Sequence, residues 1–465
     1  MENKDQLSIL WFRRDLRLQD NPALDWVCSN SRTVLPIYIH SPEEEKPWSP
    51  GAASRWWLHH SLLDLDTRLK KHGLRLHFFR GATEKVLTDI MTRLRPDSLV
   101  FNNRYEPHLH NRDKNLVARL GRHIDIHRFD SGIFFTPGTV LNKQRQPYRV
   151  FTPFYRSARS QLDIALRHGP IVSSPVDLHN LSLAGTNHDT RLDDLALLDE
   201  NHWHAKLHRY HQPGETRASA ILDSFIDSRL QEYGVNRDRP AIDGTSHLSA
   251  HLHFGEITPL QIYATLQWVL GGVAGARATD IPAAELFLKQ LFWREFGYHV
   301  LWHYPDTATE PMNPRYKKSF WRSNKENLVA WQTGKTGIPL VDAGMKQLWE
   351  TGWMHNRVRM IVSSFLTKNL GISWLEGARW FWDTLVDADL ANNSMGWQWV
   401  AGCGVDAAPY YRIFNPETQA GRFDPEGQYI DKWGRFCGNR KGKPPIVDLA
   451  QSRNEALARY RELIG

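Results

Sequence analysis

Asp387 and Asp389 stand two residues apart, followed by the amides Asn392 and Asn393 and by the indoles Trp397 and Trp399 in the run Gly396-Trp397-Gln398-Trp399. Two carboxylates this close repel each other in an apolar setting unless each meets a donor. A flavin or a nucleotide supplies such donors as ring N–H groups and hydroxyls, and an adjacent indole can pass electrons to the ring. The run therefore reads as a redox-cofactor site. A buried acidic turn against an aromatic helix pair is the plainer alternative for the two acids taken alone. A second constellation spans residues 233–249, where Thr245, Ser246 and Ser249 offer hydroxyls beside free backbone amides that can cradle a diphosphate. Hydroxyl-rich helix caps share that composition.

The segments that must position these groups are of two kinds. Residues 7–12, 34–39, 74–79, 98–102 and 124–129 are short apolar or β-rich runs separated by helical patterns, the signature of a doubly wound parallel α/β sheet. Within it, Leu58, Leu62, Leu65 and Leu69 fall at helical spacing, with Ser54 as the expected N-cap and Gly73 just past the end. No Gly-x-Gly-x-x-Gly turn follows the first strand, which argues against a dinucleotide site there. From 136 to 201 the pattern turns irregular, punctuated at 173–175 and 184–187, and reads as an interdomain connection. Beyond 202 the periodicity is helical, over 218–230, 259–270, 283–302, 344–349, 356–369, 373–386 and 450–463. The expectation is an α/β domain over 1–135, a linker over 136–201 and an all-α domain over 202–465.

Composition sets the outer limits. The 465 residues carry 58 Lys+Arg against 51 Asp+Glu, a net charge of +7 that suits a polyanionic partner. Nineteen tryptophans exceed what an ordinary core requires, so stacking or redox use enters beside packing. The three cysteines, Cys28, Cys403 and Cys437, are too few for a four-cysteine iron–sulfur cluster and fit a reducing compartment. The start Met1-Glu2-Asn3-Lys4-Asp5 lacks a signal-peptide pattern, and no apolar run is long enough to span a bilayer. A cytoplasmic monomer with no membrane association is expected.

Taken with Trp353-Met354-His355-Asn356-Arg357 and Tyr411-Arg412-Ile413-Phe414-Asn415-Pro416, the acid–amide–indole run resembles the flavin-binding half of the DNA photolyase/cryptochrome family. The resemblance implies FAD as cofactor, with Tyr233, Thr245, Ser246, Leu248 and Ser249 on its phosphates and ribityl chain. His247 stands where an arginine is common. It further implies an Arg359–Asp387 ion pair beside the isoalloxazine, Asp389 as an acceptor for ring or sugar donors, and Arg294 on the diphosphate side. Asn393 matches the residue opposite flavin N5, where photolyases usually carry asparagine, plant cryptochromes aspartate and animal cryptochromes cysteine. Read locally, Asn393 could instead cap a helix beginning near Met395. Trp397, Trp374 and Trp321 match the inner, middle and surface members of an electron-relay triad, although each would also serve as a core indole.

For the substrate, Trp293 and Trp399 match the indoles that pack around a flipped-out pyrimidine dimer. Asn356 and Met360 match repair enzymes for cyclobutane dimers, whereas animal-type (6-4) enzymes place a histidine at the position of Asn356. Gln290 departs from the pattern: cyclobutane enzymes usually have a glutamate there that steadies the dimer radical anion. Arg237, Arg357, Arg412 and Gln419 match DNA-backbone contacts at the pocket mouth. In the N-terminal domain, Trp11-Phe12-Arg13-Arg14-Asp15-Leu16-Arg17 is typical of the family's first strand and turn. His108-Leu109 replace one subgroup's folate-binding Asn-Glu pair, which leaves an antenna open between a deazaflavin, a differently bound folate and none. The implied activity is light-driven repair of cyclobutane pyrimidine dimers in ultraviolet-damaged DNA. Its alternatives are a blue-light photoreceptor, disfavoured by Asn393 and the lack of a long tail after residue 465, and a (6-4) photolyase, disfavoured by Asn356.

Overall fold

The computed structural model describes residues 6–166, 182–183, 191–198, 203–271, 282–316, 320–406, 411–435 and 444–464. Its first part is a parallel sheet. Strands β1 (Leu7–Phe12), β2 (Thr33–His40), β3 (His77–Arg80), β4 (Ser98–Asn102) and β5 (Asp125–Phe129) run in the order β3-β2-β1-β4-β5, and the short β6 (Ser182–Leu183) pairs with β2. The central strands are apolar on both faces because helices cover both, and Ile9, Phe12, Leu35, Ile37, Leu99 and Phe101 are wholly buried. Register is set by Ile9, which opposes Leu35 in β2 and Leu99 in β4. β5, at the edge, carries the polar sequence Asp-Ile-His-Arg-Phe. The strand expected over 74–79 is displaced toward the C-terminus, while Leu74 and Leu76 enter the core ahead of it.

The helix expected after Ser54 begins earlier, at Ala52, with Gly51 as its N-cap and Ser54 buried inside the first turn. The cause is tertiary. A Cβ on Gly51 would collide with the Trp382 carbonyl, so the backbone of the α/β part abuts the helix Trp374–Thr384 at the point where this helix starts. The Ala52 N–H donates to Asp383 at 2.9 Å across the same junction.

The segment 136–201, read as irregular, contains the helix Phe151–Leu166, which packs Phe151, Phe154, Ala158 and Leu162 onto Phe292 and Phe296 of the long helix Pro282–His303. Apolar residues at helical spacing sit there between polar ones, and the loop residues around it masked the period. The punctuation at 173–175 and 184–187, and Cys437, lie outside the described residues.

From 203 onward the chain is helical. Pro282–His303 is buried on most of its circumference and crosses Leu390–Ala401, where a Cβ on Gly297 would lie 3.0 Å from Oδ1 of Asn392. Trp374–Thr384 flanks the same helix, and a Cβ on Gly377 would strike the indole of Trp397. These close approaches bring three helices around one hollow. Among the described residues no helix is long and apolar enough to cross a membrane, and no group of His, Cys, Asp or Glu could hold a metal ion.

Candidate cofactor and DNA site

The helix Leu390–Ala401 starts where it does because Asp389 caps it: one carboxylate oxygen accepts from the Asn392 backbone N–H at 2.9 Å and from its side-chain amide at 2.6 Å. This replaces the reading of Asn393 as a cap, since Asn393 lies inside the first turn and its amide donates to the Ala378 carbonyl at 3.0 Å. The other oxygen of Asp389 accepts from the Tyr298 hydroxyl at 2.6 Å. His253 Nδ1 lies 3.7 Å from it and closer, at 3.3 Å, to the Arg14 guanidinium. Burial raises a carboxyl, but the nearby His253 ring, the Arg294 cation and the Tyr298 hydroxyl overcome that push and hold Asp389 far below the usual carboxylate range. Burial, reinforced by Arg14, lowers His253 to about 4 and keeps it neutral.

Asp387 is held separately. Its Oδ2 accepts from Arg359 at 2.9 Å and from the Ser249 hydroxyl at 2.7 Å. Burial again pushes upward, and Arg359 and Ser249 again prevail, so the carboxyl stays ionised. Arg359 also donates to the Met354 carbonyl at 2.7 Å, which fixes its direction. Two ionised carboxylates thus coexist because each has its own donors.

Both acids line a cavity of about 510 Å³ together with Asn393, Trp397, Arg359, Gln290, Trp293, Asn356, Met360 and Trp399. Residues separated by more than a hundred positions meet in its wall. Both Asp387 and Trp397 line that cavity, and among the described residues Asp387 Oδ1 and the Trp397 indole N–H have no hydrogen-bond partner, which leaves one acceptor and one donor unmatched. The hollow and its unmatched groups fit the isoalloxazine side of FAD.

The remaining expected residues divide. Tyr233 is buried against Phe225 and Phe287, with Arg237 over its ring at 5.3 Å. Ser246 accepts from the Leu248 N–H at 3.4 Å, the Thr245 carbonyl takes a guanidinium bond from Arg229 at 3.2 Å, and Leu248 is core. His247 adopts a left-handed conformation (φ 56°) and pairs with Asp243 at 2.5 Å. Arg294 is turned toward the α/β part, where it donates to the Gly132 carbonyl at 2.7 Å and covers the Tyr298 ring.

Among the substrate candidates, Trp293 stacks on Phe151 at 3.6 Å and Trp399 donates to the Asp406 carbonyl at 3.0 Å, which pins both indoles at the wall. The Asn356 amide lies 3.9 Å from the Met360 sulfur. Arg412 is exposed, and Gln419 sits half-buried on the helix Pro416–Phe423. Trp374 and Trp397 are buried in one core cluster, and Trp321 packs half-buried onto its side against Phe320 and Tyr316.

Sequence reasoning missed Tyr298, His253 and Asp238. Gln290, Arg294 and Tyr298 recur every fourth residue and so share a helix face, a signal that could have brought Tyr298 in. At the carboxyl ends of the sheet strands, Arg112 pairs with Glu44 at 3.0 Å and Asp113 at 2.7 Å, and Arg104 pairs with Glu106 at 2.6 Å. Beside these ion pairs lies a crevice of about 30 Å³ lined by Trp11, Arg13, Arg104 and Arg112.

Comparison with known proteins identifies the family. Residues 8–173 match the family described as DNA photolyase, and residues 287–435 match the FAD binding domain of DNA photolyase. The deoxyribodipyrimidine photo-lyase of Agrobacterium fabrum is 38% identical, covering 97% of this chain and 97% of its own length. Cryptochrome-1 of Arabidopsis thaliana is 34% identical over 92% of this chain and 62% of its own length. The crystal structure of a bacterial class III photolyase from Agrobacterium tumefaciens superimposes with a TM-score of 0.89 at 36% identity, covering 100% of this chain and 99% of that one. The chain belongs to the DNA photolyase/cryptochrome family, with an α/β domain followed by that family's all-α FAD-binding domain.

Proposed function

We propose that this protein repairs cyclobutane pyrimidine dimers in DNA under blue light. The observation that carries the reading is that a single cavity has flavin-type acids and Asn393 in one part of its wall, and Trp293, Trp399, Asn356, Met360 and Gln290 in another. FAD held there supplies, when reduced and illuminated, the single electron that opens the dimer's cyclobutane ring. Arg359 and Asp387 orient its ring and Asp389 accepts from its donors, while Ser249 steadies Asp387 from the loop that would receive the phosphates. Trp293 and Trp399 offer flat faces that exclude water from a pyrimidine dimer flipped out of the duplex. Asn356 and Gln290 put neutral amides on the dimer side of the cavity, and neither can protonate a (6-4) lesion as a histidine would. Trp397, Trp374 and Trp321 form the route by which electrons return the resting cofactor to its reduced state.

A photoreceptor is the second reading. It is favoured by the amide of Gln290, which is already engaged by Arg237 at 3.2 Å and by the Leu286 carbonyl at 3.0 Å. Reduced protein incubated with dimer-containing oligonucleotides under blue light decides between them. Restored thymines support repair, whereas bound flavin without repair of any lesion supports the photoreceptor.

A further inference from the structure

Asp238 lies between two arginines of the cavity wall, and no part of the chemistry above uses it. Arg357 donates to it as a fork, Nε to Oδ1 at 2.8 Å and Nη2 to Oδ2 at 2.9 Å. On its other side, Nε of Arg237 is 3.7 Å from Oδ1. Each arginine continues to a residue on the proposed dimer side. Arg237 donates to Oε1 of Gln290 at 3.2 Å, and Nη1 of Arg357 lies 3.8 Å from the sulfur of Met360, itself beside Asn356. One carboxylate therefore anchors a strap running from Asn356 to Gln290 across the cavity.

The fork consumes the Nε–Nη2 edge of Arg357 and turns Nη1 toward Met360. Phe423 supports the guanidinium at 5.0 Å. An arginine without such a partner is a long, flexible cation that closes on the nearest phosphate of any strand. Arg357 held by Asp238 cannot do so without giving up a bidentate, charge-assisted pair. Its family role as a backbone contact is thereby narrowed to the edge that remains.

We propose that Asp238 is a positioning residue that commits Arg357 to the flipped-out lesion and so sets the preference for damaged over undamaged DNA. This rests on the cavity being the dimer pocket. The expected result for Asp238→Asn is that affinity for undamaged duplex rises several-fold with a steeper salt dependence, affinity for a dimer-containing duplex is unchanged or falls, and their ratio drops about fivefold to tenfold. The added free cation is worth roughly one more phosphate contact in the salt slope. Asp238→Glu, which retains a forked acceptor, should keep most of the ratio. Arg357→Lys, which keeps the charge but cannot fork, should lose it.

The test is binding of both duplexes at several salt concentrations by wild type and the three variants, with bound flavin measured on each to show an intact fold. Equal changes in both affinities for Asp238→Asn would mean that the acid contributes bulk charge alone and would overturn the proposal. So would an unchanged ratio in Arg357→Lys. A wild type with no preference for the dimer overturns the repair reading and this proposal with it, whereas a wild-type preference that survives in Asp238→Asn sinks this proposal and leaves repair standing.

Discussion

Nη2 of Arg237 donates to Oε1 of Gln290 at 3.2 Å, and Nε2 of Gln290 donates in turn to the Leu286 carbonyl one helical turn earlier. A glutamate at 290 would turn the Arg237 contact into an ion pair and give up the bond to the Leu286 carbonyl, while offering a carboxylate oxygen that can accept from the lesion's N–H groups. A charge-assisted hydrogen bond contributes about 1.5 to 3 kcal/mol. Gln290→Glu should therefore preserve or raise the quantum yield of dimer repair, measured on oligonucleotides under blue light. Repair of (6-4) lesions should be negligible in both forms. Its appearance in the natural sequence would remove Asn356 as a lesion determinant.

Asp387→Asn should release FAD. The substitution leaves the Arg359 guanidinium facing a neutral amide and weakens the bond from Ser249. A loss of roughly 1.5 to 3 kcal/mol corresponds to a tenfold to hundredfold weaker complex. Titration of apoprotein with FAD, followed by quenching of flavin fluorescence, gives the number directly.

Trp397→Phe should slow flavin photoreduction by more than tenfold while FAD remains bound. Phe381 at 4.9 Å and Trp331 at 6.1 Å would still pack around the smaller ring, so the wall survives. Flash photolysis in the presence of a thiol reductant reads the rate. An unchanged rate would assign the three indoles to packing alone.

Glu295 gives the stability a pH dependence. Burial pushes its carboxyl up to about 7, against the pull of Arg294 and two backbone donors at Phe134 and Phe135. Between about 4 and 7 the folded protein therefore binds more protons than the unfolded chain, whose glutamates titrate near 4.3. This group's contribution to stability is complete at low pH, falls as pH rises through that window and levels off above it. Glu295→Gln removes the decline. Its melting temperature should match the wild type near pH 4.5 and exceed it at pH 8, by an amount equivalent to roughly 3 to 4 kcal/mol at most.

The sheet was legible because its central strands are buried on both faces, so residues 9–12 and 34–39 appear as continuous apolar runs. The cofactor side was legible because Asp387, Asp389, Asn393 and Trp397 are neighbours in sequence. What escaped depends on approaches between distant segments. Nothing around Ser54 announces that Gly51 must lie against Trp382, and nothing around Tyr298 or His253 announces Asp389. Asp238 stood within the quoted loop, yet an acid between two arginines reads as local charge balance until Arg357 arrives from 119 residues away.

Glu256, wholly buried, accepts from Trp57 at 3.1 Å and from the Gly214 N–H at 2.9 Å, and a Cβ on Gly255 would collide with the Arg14 carbonyl. One apolar cluster accordingly mixes Leu10, Phe12, Trp57 and Leu62 with Leu207, Phe254 and Val386. The halves share a core and cannot be parted without exposing it. A fragment beginning near residue 203 would carry a sticky, half-built interior and should aggregate on expression. In calorimetry the intact chain should melt in a single peak, with the sheet and the helices of the second half lost together.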